Sequence, residues 1–180
     1  MGVILEMIPY EVDIPLKYTW LRGLRTVVGV TNRYYIPELR EFRYAVFQEA
    51  DCCMDELTAV RLGKLASVES FGEDLLALVV KTMKGYHYYL DLYTEDFMES
   101  ILLASKFRNH LPASCRDLRH EKYALKVLLT YGIERYVLRV SPSKHPRDTF
   151  RVVYRKACRD PHHNEFISEV SNLYKNIFPF

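Results

Sequence analysis

The chain predicts an α+β protein: a two-layer, mainly antiparallel (RRM-like) sheet with helices packed against it. Three observations predict it. Residues 75–92, LLALVVKTMKGYHYYLDL, hold two apolar runs around a short polar turn that contains Gly85, the pattern of a β-hairpin. Residues 94–110 and 119–131 carry helix start and stop signals. Strand-like runs at 43–50, 135–140 and 149–155 interleave with these helices.

Taken in order, residues 1–16 alternate apolar and acidic positions up to Pro9 and Pro15, which suits an edge strand or an extended lead-in. Residues 17–30 read as a short helix and then a strand. Pro37 opens the polar segment PELREFR, expected as one or two helical turns before the strand at 43–50. Residues 55–65 have helical spacing at Leu57, Val60, Leu62 and Leu65, with Asp55 as the cap. After the hairpin, Thr94 is the expected N-cap of the next helix, with Glu95 and Asp96 in its first turn and Lys106, Arg108 and His110 near its end. The helix at 119–131 has Leu125, Leu128 and Leu129 as its apolar stripe and Gly132 as its stop. The segment SPSKHPRD, 141–148, reads as a turn between the last two strands, and a helix at 164–177 closes the chain. The whole reads as a single domain over 1–180.

Apolar residues make up 49% of the chain, which rules out a disordered polyelectrolyte. The net charge is only +2, but it is unevenly spread. Residues 105–180 carry 15 Lys/Arg against 7 Asp/Glu, while residues 1–104 carry 10 against 16. A basic half suits a polyanionic partner, and equally an unevenly charged solvated surface. The cysteines at 52, 53, 115 and 158 form no C-x-x-C pair, so a zinc ribbon is unsupported. Reduced thiols and the lack of a signal peptide or a membrane-length apolar run lead one to expect an intracellular, cytoplasmic protein with no membrane partner.

Strand alternation puts Glu49 and Asp51 on one side at the exit of the 43–50 strand. Acid-x-acid at a strand end can hold a divalent metal through oxygen ligands, or face solvent at the start of a loop. His87, at the mouth of the hairpin near Lys81 and Lys84, can donate to a phosphate oxygen, or be a surface histidine. Arg139, Ser141, Ser143, Lys144 and His145 gather where the 135–140 strand runs out, as a phosphate grip or an ordinary charged turn. Asp117 is either the cap of the helix that follows or a third carboxylate.

The sequence AVFQEAD (45–51), KTMKGYHYYLDL (81–92), CRD (115–117) and YVLRVSPSKH (136–145) resembles, in that order, the motifs of the archaeo-eukaryotic primase (primase-polymerase) superfamily. The resemblance is carried by residues 43–156. The chain departs from the family motifs at Glu49, where the family usually has Asp, and at Gly85, where it usually has Ser. The resemblance implies metal-dependent nucleotidyl transfer on a single-stranded template. Glu49, Asp51 and Asp117 (with Asp91 in reserve) would hold Mg²⁺ or Mn²⁺. Lys81, His87, Arg139, Ser141 and Lys144 would hold the nucleoside triphosphate. A small catalytic domain of this kind implies a protein partner or a homo-oligomer. Three rivals stand beside it. One is a non-catalytic nucleic-acid-binding module that stacks bases on Tyr86, Tyr88, Tyr89 and Tyr93. Another is a rolling-circle nuclease with Tyr123 in a Y-x-x-K helix, although no second histidine follows His87. The last is a protein-interaction domain without an active site.

Overall fold

An antiparallel sheet frames the protein, as seen in a computed structural model that describes residues 2–9, 28–116, 119–132, 134–141 and 150–176. The elements are β1 (Ile4–Pro9), β2 (Val28–Ile36), β3 (Glu41–Ala50), α1 (Glu56–Phe71), β4 (Leu76–Lys81) and β5 (Tyr86–Thr94). They continue with α2 (Phe97–Arg108), a 3-10 turn (Ala113–Cys115), α3 (Arg119–Tyr131), β6 (Val137–Ser141), β7 (Arg151–Arg155) and α4 (Pro161–Asn176). The strand order is β1-β2-β3-β5-β4-β7, and β6 pairs with β2. The α+β class, the antiparallel sheet and its helical layer are those that the sequence predicts.

β5 shows how the layers are set. Tyr88 and Tyr89 are adjacent, so they point to opposite faces. The Tyr88 hydroxyl donates to the Ala59 carbonyl of α1 at 2.8 Å, and the Phe107 ring of α2 meets the Tyr88 ring edge-on at 5.5 Å. Tyr89 is bound instead to Tyr174 of α4, hydroxyl to hydroxyl at 2.7 Å. The α1–α2 layer therefore covers one face, and α4 crosses the other, where Phe166 stacks on Tyr34 of β2 at 4.3 Å.

β2 is shared along its length. Its C-terminal half pairs with β3, from Arg33↔Tyr44 to Ile36↔Glu41. Its N-terminal half pairs with β6, from Val28↔Ser141 to Thr31↔Val137. Asn32 sits at the fork, almost fully buried. Its amide nitrogen donates to the Ala45 carbonyl at 3.1 Å, and its amide oxygen accepts from the Tyr136 N–H at 2.9 Å. One side chain thus meets the backbone groups that the parting strands leave over.

Several local expectations change. Pro37–Arg40 is a turn, not helical turns, with Arg40 at φ 51° and β3 starting at once at Glu41. β5 runs on through Thr94, and Asp96 caps α2 by accepting from the Glu99 N–H at 3.1 Å. Asp55 does cap α1, accepting from the Thr58 N–H at 2.7 Å. β6 and β7 are not partners: β6 lies against β2, and β7 against β4. Turn residues report a reversal of the chain but not the strand it returns to.

α1 also faces the other way from its leucine spacing. It buries Ala59, Gly63, Ala66, Ser67 and Ser70, and leaves Leu57 and Leu65 exposed. The cause is close approach: a Cβ on Gly63 would press into the Tyr88 ring and crowd Leu76. On α3, Ala124 and Leu128 reach the core, while Leu125 and Leu129 are exposed. No helix among the described residues is long and apolar enough to cross a membrane. Residues 10–27, which hold the expected short helix, lie outside the described residues.

Candidate functional site at one end of the sheet

The pairing registers bring six strand ends together. Ala50 at the exit of β3 faces Tyr86 at the entry of β5, Lys81 at the exit of β4 faces Tyr86 and Arg151, and Ser141 at the exit of β6 faces Val28. Because β2 runs antiparallel to both β3 and β6, Val28 and Ser141 lie at the same end as Ala50. Glu49, Asp51, Lys81 and His87 and the backbone of Arg139 and Ser141 therefore belong to one end of the sheet.

Gly85 makes that end possible. The hairpin turn between β4 and β5 folds so tightly onto β3 that a Cβ at Gly85 would overlap the Ala50 carbonyl oxygen. The turn is held by the Gly85 N–H donating to Thr82 Oγ1 at 3.0 Å and by the Thr82 N–H donating to the Gly85 carbonyl at 2.8 Å. On the outer side of β3, Arg116 forms an isolated antiparallel bridge with Ala50. Its guanidinium is spent on the Leu111 and Asn109 carbonyls at 3.1 and 2.9 Å, so it ties the end of α2 to the strand.

Glu49 and His87 are register partners across β3 and β5. Nε2 of His87 lies 3.4 Å from Glu49 Oε1, and Nδ1 lies 2.7 Å from the Tyr174 hydroxyl, which in turn meets Tyr89. One polarity satisfies the whole chain: Tyr89 donates to Tyr174, Tyr174 to Nδ1, and Nε2–H points at the carboxylate. Phe47 meets the imidazole edge-on at 5.2 Å and Phe150 lies 6.5 Å away, so only 12% of the His87 side chain is exposed. Glu49 keeps 30% of its side chain exposed, and Asp51, one residue past the end of β3, is exposed. Lys81 stands over the Tyr86 ring at 5.0 Å and donates to the Thr82 carbonyl at 2.6 Å.

The structure thus brings Glu49 and His87 into contact and sets Asp51 and Lys81 at the same end. Arg139 and Ser141 are placed there by their backbone register, while Asp117 and Lys144 lie outside the described residues. Asp91, the reserve acid, is turned to the Arg159 backbone and guanidinium at 3.2 and 3.4 Å instead. The tyrosine platform is overturned: Tyr86, Tyr88 and Tyr89 are buried, and Tyr93 lies under the Arg43 guanidinium at 4.0 Å. The first three rings belong to the core, and the half-buried Tyr93 ring has the guanidinium on its face.

Tyr174, Gly85 and Asn32 were not among the expected site residues. Tyr174 is 87 positions from the histidine it binds, and nothing local in the sequence links them. Tyr89 was findable, since it stands two residues from His87 on the same face of the strand.

Glu49 and Asp51 carry oxygen donors of the kind a hard divalent cation takes. Among the described residues no group of three or more His, Cys, Asp or Glu is placed to hold a metal. No family model matches the chain, and no curated protein or solved structure matches it.

Proposed function

We propose that this end of the sheet binds a nucleoside triphosphate beside a single-stranded nucleic-acid template and transfers nucleotides in the manner of the primase-polymerases that the motifs resemble. The observation that carries the proposal is the Glu49–His87 register pair, with Asp51 one step further out and the ends of β4 and β6 beside it. Glu49 and Asp51 would hold Mg²⁺ or Mn²⁺, with Asp117 as the third acid; the ion, when bound, supplies charge stabilisation to the reacting phosphates. His87 orients Glu49 from across the strands, and the Tyr174–Tyr89 pair holds the imidazole in place. Lys81, with Arg139, Ser141 and Lys144 from β6 and the segment after it, offers cationic and hydroxyl groups to phosphate oxygens. Four unbridged cysteines go with an intracellular setting.

The test is metal-dependent nucleotide incorporation on a primed single-stranded template. Asp51→Ala and Glu49→Ala should each lower the rate by roughly 100-fold while far-UV circular dichroism stays unchanged. Activity that is indifferent to both substitutions would sink the proposal. A second reading is a non-catalytic nucleic-acid-binding module that uses the same end of the sheet, where β4 and β6 run out. It predicts salt-sensitive binding of single strands that survives both substitutions, with no incorporation at all.

A further inference from the structure

α1 turns its small residues inward and its large apolar ones outward. Ala59, Gly63, Ala66, Ser67 and Ser70 are buried, whereas Leu57, Leu65 and Val68 are 61%, 52% and 45% exposed. At 3.6 residues per turn, Leu57, Arg61, Leu65, Val68 and Glu69 share the outer face. The neighbouring helix of the same layer, α2, adds Met98 and Leu102, 41% and 64% exposed.

The charges on this face have an order of their own. Arg61 and Glu69 are both exposed and stand four residues to either side of Leu65. Among the described residues neither belongs to an ion pair. Such a stripe is complementary to itself turned round. Two copies of α1 laid antiparallel across a two-fold axis at Leu65 set Leu65 on Leu65 and each Arg61 opposite the other copy's Glu69. A parallel arrangement would set Arg61 against Arg61 and Glu69 against Glu69, which is repulsive.

We propose that this outer face of α1 is an isologous interface between two copies of this chain, centred on Leu65 and oriented by reciprocal Arg61–Glu69 pairs. The apolar residues supply the attraction, since exposed ion pairs contribute little. The charges choose the antiparallel orientation and its register.

Light scattering after size exclusion, with sedimentation equilibrium at concentrations up to about 100 μM, tests this on the full chain. The wild type is expected as a dimer, and Leu65→Glu as a monomer with an unchanged circular dichroism spectrum, because the position points away from the core. Arg61→Glu and Glu69→Arg should each weaken the dimer by about tenfold, since each creates two like-charge contacts per dimer. The two together, Arg61→Glu with Glu69→Arg, should recover wild-type association. A wild type that stays monomeric throughout overturns the proposal. So do single variants that associate normally, or a double variant no better than the singles.

Discussion

At the scale of single residues, the groups that matter most are buried polar ones with full sets of partners. His163, in the first turn of α4, is fully buried. Its Nε2–H donates to the Leu90 carbonyl at 2.9 Å, which leaves Nδ1 to accept from the Tyr34 hydroxyl at 2.8 Å. Burial holds the imidazole below its ordinary value, against the upward pull of the Leu90 carbonyl, Asp91 and Asp160. Below about pH 6.5 the unfolded chain therefore takes up a proton that the folded chain refuses. The stabilisation is complete above that pH and falls as pH drops through the window below it. Asp160 acts at lower pH: burial opposes its charge, but the His163 N–H and Arg43 hold it below the ordinary carboxylate value. Its contribution is lost only as pH falls through that depressed value. Urea unfolding at about pH 7.5 and about pH 5.5 should show lower stability at the acid end, and His163→Gln should flatten that difference. An equal slope in the variant would assign the effect elsewhere.

At the scale of elements, the hairpin of β4 and β5 is seated on β3 through a position with no side chain. Gly85→Ala has to push the turn off the Ala50 carbonyl and should cost about 1–3 kcal/mol, read as a lower denaturant midpoint. Gly72, which ends α1 in the left-handed region with nothing within 4 Å of an added Cβ, is the control: alanine there meets only backbone strain, about 1 kcal/mol. If the two substitutions cost the same, the seating of the hairpin is not what Gly85 provides. The hairpin, the caps at Asp55 and Gly132 and the bounds of α3 were legible in the sequence because local rules govern them. The orientation of α1 was not. Leucine spacing names a helical face, but the bulk of the Tyr88 ring from 29 positions away decides that a small face must lie against the sheet. The site divides in the same way. Local pattern placed Glu49 at the end of β3 and His87 at the mouth of the hairpin, whereas the Tyr174 contact that holds His87 depends on a helix at the far end of the chain.

At the scale of the whole molecule, Asn32 is the point where three strands are reconciled. Asn32→Leu keeps the volume and removes the amide, leaving the Ala45 carbonyl and the Tyr136 N–H buried without it. A loss of about 2–4 kcal/mol should follow in equilibrium unfolding. A cost near zero would mean that water takes over the fork. The same fork has a consequence in time. β2 can meet β3 as soon as a four-residue turn forms, but its other half must wait for β6, more than 100 positions later in the chain. β7 likewise closes on β4 only after some 70 intervening positions. A chain leaving the ribosome would hold its first hairpin with one flank of β2 open until nearly everything else had been made. Closing loops of that length is slow, so β2 keeps a bare strand edge exposed to other chains until β6 arrives.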